Sequence, residues 1–154
     1  MTIHFICRGN AYRTIIAEAY LKSLRLKGVE VLSSGTVANM HRTENESVIT
    51  NIVKRLYGHS IGIYAKTRSE QLTQQRVDDG DITICMNQIV VDECKNLVSL
   101  PRDVIVWDVA DTGEGRRIVG PNEDDYQYFE EIYEEVTHNI DELIAKKHFD
   151  SVKI

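Results

Sequence analysis

The sequence predicts an α/β protein, a three-layer α/β/α arrangement around a central four-stranded parallel sheet, and two observations carry that expectation. Short apolar runs alternate with longer segments of helical period. Four of the runs have strand length, and the crossovers between them take up most of the remaining chain.

The first strand is expected at about 2–6, Thr2-Ile3-His4-Phe5-Ile6. A helix should follow from Ala11 to Lys27, with Ile15, Ala19, Leu21 and Leu26 as its apolar stripe and Gly28 as its stop. A strand at about 29–33 comes next. Thr43-Glu44-Asn45-Glu46 has the form of a capping box, and Val48, Ile49, Ile52, Val53 and Leu56 line one face of the helix it would open before Gly58. Another helix is expected from about Ser69 to Gly80, then the buried strand Asp81 to Met86. Val90, Val91 and Leu97 mark a further helical stretch before the strand Val104 to Trp107. The last element is an acidic helix at about 122–146, with Phe129, Ile132, Tyr133, Val136, Ile140 and Leu143 on its apolar face. Val109 to Pro121, rich in Gly and charge, reads as a loop.

Composition narrows the function classes. With 154 residues, 42% hydrophobic and 27% charged, the chain suits one globular domain, 1–154, with a core of its own. No apolar run approaches bilayer length and the N-terminus lacks a signal-peptide layout, so a cytoplasmic protein without a membrane partner is expected. A formal charge of -6 and the lack of a basic stripe argue against nucleic acid as a partner. Cys7, Cys85 and Cys94 form no C-x-x-C or zinc-like spacing, so reduced thiols are the default. His4, His41, His59, His138 and His148 have no metal-ligand spacing either, so neither metal nor cofactor is expected.

The strongest local signal is Ile6-Cys7-Arg8-Gly9-Asn10-Ala11-Tyr12-Arg13-Thr14, which puts a cysteine where the first strand ends and an arginine where the next helix opens. Gly9 and Asn10 readily adopt positive φ, so the backbone from Arg8 through Ala11 and Tyr12 can curl until successive N–H groups form an anion-binding nest. The helix adds its positive end, and the Arg13 guanidinium can grip two oxygens as a fork. That field favours the thiolate of Cys7, the species able to attack phosphorus, and the Thr14 hydroxyl can donate to the sulfur. A cysteine six places before an arginine is common by chance; the joint occurrence of strand, Gly-Asn turn, Arg-Thr and helix start is what favours chemistry.

These residues resemble the low-molecular-weight protein tyrosine phosphatase family, whose loop reads C-x-G-N-x-C-R-S/T and precedes a helix containing A-E, here Ala17-Glu18-Ala19. Ser33-Ser34-Gly35-Thr36 is similar to the family's S-A-G-T, and Asp81 to Met86 to its D-x-I-x-x-M strand, so the resemblance spans nearly the whole chain. It implies a four-stranded parallel sheet, a cysteinyl-phosphate intermediate, no metal, a supporting role behind the loop for Ser33, and a late-loop aspartic acid that protonates the leaving oxygen. Trp107-Asp108-Val109-Ala110-Asp111-Thr112 is similar to the family's acid motif and makes Asp111 the candidate, with Asp108 also within possible reach. A phosphorylated protein or peptide is the implied partner, phosphotyrosine the first substrate, and a monomer or weak homo-oligomer the expected state.

Several positions depart from the family pattern. Gly113 and Glu114 stand where relatives carry an aromatic wall for phosphotyrosine, and Tyr12 replaces the second loop cysteine. Arg8 would add charge at the rim or be an exposed strand-end residue, while Ala11 leaves room for a tyrosine or an arginine phosphatase. Lys66 and Arg68, near the segment where relatives place a histidine against the loop asparagine, read more simply as solvated cations. Tyr126 and Tyr128 are similar to tyrosine pairs phosphorylated in some members, and helix packing explains them as well. The alternatives are therefore a protein arginine phosphatase and a phosphate-binding module with little turnover. Arsenate reduction fits less well, because Cys85 and Cys94 are poorly placed for a redox relay and read as buried structural thiols.

Overall fold

The computed structural model describes residues 1–120 and 124–147. Strands β1 (Thr2–Cys7), β2 (Glu30–Gly35), β3 (Ile82–Cys85) and β4 (Ile105–Val106) form a parallel sheet in the order β2-β1-β3-β4. Helices α1 (Arg13–Ser23), α2 (Arg42–Gly58), α3 (Gln74–Asp79), α4 (Gln88–Cys94) and α5 (Phe129–Lys147) flank it. Helix α1 packs on α5 and α2, whereas α3 and α4 pack on β1 and β3. No described helix is long and apolar enough to cross a membrane.

This strand order makes β1 the switch point, because the chain leaves it toward β2 on one side and later returns to β3 on the other. Ligands of open parallel sheets bind at the carboxyl end of such a strand. Burial on both faces explains why β1 reads as an almost continuous apolar run: Ile3, Phe5 and Ile6 are fully buried, as are Ile15 and Ile16 of α1 and Ile132, Val136 and Ile140 of α5.

Element types follow the sequence, and several boundaries do not. Helix α1 is shorter at both ends than the expected 11–27: Ala11 and Tyr12 belong to the preceding loop, and Arg25 (φ 52) and Gly28 (φ 72) turn the chain into β2. The capping box at Thr43 does not open α2, which starts at Arg42 after a 3-10 turn, Ala38–His41, without a side-chain cap. Residues 69–72 are not helical; Gln71 bridges to Gly35 at the end of β2, so α3 begins at Gln74, where the Thr73 hydroxyl accepts the Arg76 N–H at 3.2 Å. Pairing with a sheet edge has overridden local helical preference there. Helix α5 begins at Phe129 after a turn over 125–128, and the expected start at 122–123 lies outside the described residues, as do Pro121 and His148.

Candidate active site at the end of the first strand

The loop after β1 closes around its own cysteine. Asn10 takes φ 53, and its main-chain N–H donates to Cys7 Sγ at 3.2 Å. Gly9, expected to share that conformation, is a glycine for reasons of space: a Cβ there would lie 3.0 Å from Asn45 Oδ1 of α2. The Asn10 Nδ2 donates to Thr14 Oγ1 at 2.7 Å, which leaves the hydroxyl proton of Thr14 free to point at Cys7 Sγ, 3.2 Å away. Both donors are directed at the sulfur.

Arg13 opens α1 with its side chain only 1% exposed. Its Nη1 donates to the Val109 carbonyl at 2.9 Å, while Nε and Nη2 are buried with no hydrogen-bond partner among the described residues. Two guanidinium nitrogens with donors to spare beside a cysteine are a receptor for an oxyanion. Across from them Asp111 Oδ2 stands 3.6 Å from Arg13 Nη2. Burial is the largest influence on this carboxyl group and raises its pKa, with Glu114 acting the same way; Arg13 and the Thr112 N–H oppose them. Asp108 is 95% exposed and faces Arg116, so Asp111 is the aspartate that meets the cysteine loop.

Cys7, Gly9, Ala11, Tyr12, Arg13 and Asp111 line one cavity of about 220 Å³. Asn10 and Thr14 brace it from behind. Arg8 is outside this lining, its guanidinium turned to Glu93 with both carboxylate oxygens 3.0 Å from Nε. Ser33 stands farther back, donating to Glu18 Oε1 of α1 at 3.0 Å while its carbonyl accepts from Lys66 Nζ.

Several contributors were not legible in the sequence. Tyr126, from the turn before α5, lines the cavity and stacks on Tyr12 with ring centroids 5.9 Å apart, so aromatic walls exist although Gly113 and Glu114 supply none. The available signal was the pair Tyr126 and Tyr128, which the sequence offered as family-like tyrosines or as helix packing. Glu114 instead accepts from the Asp111 N–H and from Asn87 Nδ2, each at 2.9 Å, and shapes the acid loop. Gly35 lets the loop lie against β2, since a Cβ there would come within 2.5 Å of the Arg8 carbonyl. Lys66 is not the solvated cation expected: it is 11% exposed, pairs with Glu70 at 3.3 Å, and burial lowers its pKa. Cys85 and Cys94 are fully buried and interact with each other.

Sequence and fold comparisons bear on the family and the fold. Residues 2–152 match the family profile of low molecular weight phosphotyrosine protein phosphatase. The chain belongs to that family. Members are cysteine-dependent phosphatases, and Cys7 is present in this one. The phosphatase is similar in fold to a low molecular weight phosphotyrosine phosphatase from Vibrio cholerae, at 16% identity and a TM-score of 0.68 over 96% of this chain and 97% of the other. An arginine phosphatase from Geobacillus stearothermophilus aligns at 24% identity and a TM-score of 0.60, covering 96% and 92%. A thioredoxin-dependent arsenate reductase from Corynebacterium glutamicum aligns at 22% identity and a TM-score of 0.62, covering 94% of this chain and 60% of that one. A search of curated proteins returned no significant sequence match.

Proposed function

We propose that this phosphatase hydrolyses phosphorylated proteins, phosphotyrosine foremost, through a cysteinyl-phosphate on Cys7, with Arg13 holding the phosphoryl group and Asp111 moving the proton. The observation that carries the reading is the convergence on Cys7 Sγ of the Asn10 N–H and the Thr14 hydroxyl, beside an Arg13 whose Nε and Nη2 donate no hydrogen bond among the described residues. In the first step the thiolate attacks phosphorus, the S–P bond forms, the ester P–O bond breaks, and the leaving oxygen takes the Asp111 proton. In the second, water attacks phosphorus, Asp111 takes its proton, and the S–P bond breaks to release phosphate and restore the thiolate. The loop main chain and Arg13 stabilise the charge on the equatorial oxygens in both steps.

Tyr12, Tyr126 and Val48 support an aryl phosphate, because they give the cavity flat apolar walls above the cysteine. A second reading, a protein arginine phosphatase, is favoured by Asp125, which lines the same cavity with Asp111 and would suit a guanidinium. Turnover of p-nitrophenyl phosphate without added metal, measured for the wild type and Cys7→Ser, tests the chemistry; phosphotyrosine and phosphoarginine peptides then decide between the substrates. Activity retained in Cys7→Ser would refute the mechanism. Phosphate binding by a wild type without turnover would instead identify a binding module.

A further inference from the structure

Arg117 is completely buried, yet it lies outside the lining of the phosphate cavity. Burying a guanidinium is costly unless its charge is paired and hydrogen-bonded. Its Nη1 donates to the Ala110 carbonyl at 2.6 Å, and its Nη2 pairs with Glu135 on α5. The neighbouring carbonyls are held the same way: Arg116 Nη2 donates to Asp108 O at 3.3 Å and Arg13 Nη1 to Val109 O at 2.9 Å. Three guanidinium groups thus fix the three consecutive carbonyls that precede Asp111. The chain beyond Asp111 folds back onto the same arginine, with the Gly113 N–H donating to Arg117 O at 2.6 Å and the Arg117 N–H to Glu114 O at 2.8 Å.

We propose that Arg117, clamped by Glu135, is a positioning residue that sets where the Asp111 carboxyl stands over the cysteine. The inference rests on the reading of Asp111 as general acid. A planar fork reaches Ala110 O and Glu135 together, whereas the point charge of lysine cannot satisfy both with the same geometry. Because Arg117 holds the peptide carbonyl immediately before Asp111, its loss moves the acid and leaves the Cys7 loop, anchored from β1 and α1, in place.

The test is kcat/KM for aryl phosphates whose leaving groups range from p-nitrophenolate to phenolate, since a poor leaving group depends on a well-placed proton and a good one does not. Arg117→Met should lower kcat/KM for phenyl phosphate by about 10-fold or more and for p-nitrophenyl phosphate by about 3-fold or less. Arg117→Lys should regain part of the phenyl phosphate rate, and Arg117→Met should add no further leaving-group dependence to Asp111→Asn. A uniform loss along the series, or additive effects in the double variant, would overturn the inference. Glu135→Gln, expected to show the same selective loss, gives the readout if Arg117→Met does not fold. Should Asp111→Asn itself leave the leaving-group dependence unchanged, the general-acid reading fails and this one with it; should Asp111→Asn steepen it while the Arg117 and Glu135 variants do not, only the positioning role fails.

Discussion

The main-chain N–H of Glu70 donates to Asn10 Oδ1 at 2.8 Å, tying the cysteine loop to a segment 60 residues away. With Nδ2 on Thr14, the Asn10 side chain is held at both ends while its backbone sits at φ 53. Asn10→Ala should therefore cost about 2–4 kcal/mol, from lost bonds and left-handed strain together. It should also lower kcat/KM by at least about 10-fold, through loss of loop shape. Asn10→Gly relieves the strain without restoring the bonds, so urea unfolding should recover more than activity does. Equal recovery of both would show that the side-chain bonds are dispensable.

Gly35 gives a complementary test of loop placement. An added Cβ would meet the Arg8 carbonyl at 2.5 Å and the Asn10 nitrogen at 2.8 Å, both backbone atoms that cannot swing aside. Gly35→Ala is expected to destabilise by about 1–3 kcal/mol. Phosphate inhibition should weaken and kcat/KM fall with an unchanged far-UV spectrum; an unaltered inhibition constant would mean that the loop tolerates the push.

For Asp111 the sign of the pH effect follows from burial, which raises its pKa above the ordinary 3.8 in the folded chain. Below the unfolded value both states are protonated and the group is neutral to stability. Above the folded value its ionisation disfavours folding. Asp111→Asn should accordingly have a Tm above that of wild type at pH 7, the gap closing as pH falls toward 4, while kcat/KM for phenyl phosphate drops by about 10²–10⁴-fold. A lower Tm for the variant at pH 7 would mean that the Arg13 pairing outweighs burial.

His4 acts in the opposite pH direction. It is fully buried, its Nε2 lies 2.8 Å from Ser34 Oγ, and its Nδ1 has no hydrogen-bond partner among the described residues. Burial, reinforced by Arg76 and Lys66 and opposed by Asp79, lowers its pKa from 6.5 to about 4. Its contribution is complete above pH 6.5 and is lost as pH falls toward 4, a loss on the order of 3 kcal/mol. Urea unfolding from pH 7 to 4.5 should show this slope in the wild type and lose that part of it in His4→Asn. Parallel curves for the two would refute the assignment.

The alternation of elements and the loop that gathers Cys7, Asn10, Arg13 and Thr14 were legible in the sequence because both are local: consecutive residues supply the thiol, the turn and the arginine. Asp111 was reachable only through the family resemblance, since a lone loop carboxylate has no pattern of its own. Tertiary structure decided the rest. Residues 69–72 carry helical signals yet lie extended, because Gln71 bridges to Gly35 and Glu70 serves Asn10. Tyr126 becomes a cavity wall and Arg117 a buried clamp only once α5 packs on α1. Their side chains have no helical or strand period to announce them. Parallel crossovers bring such distant segments to the end of β1, and burial then fixes which polar groups must find partners there.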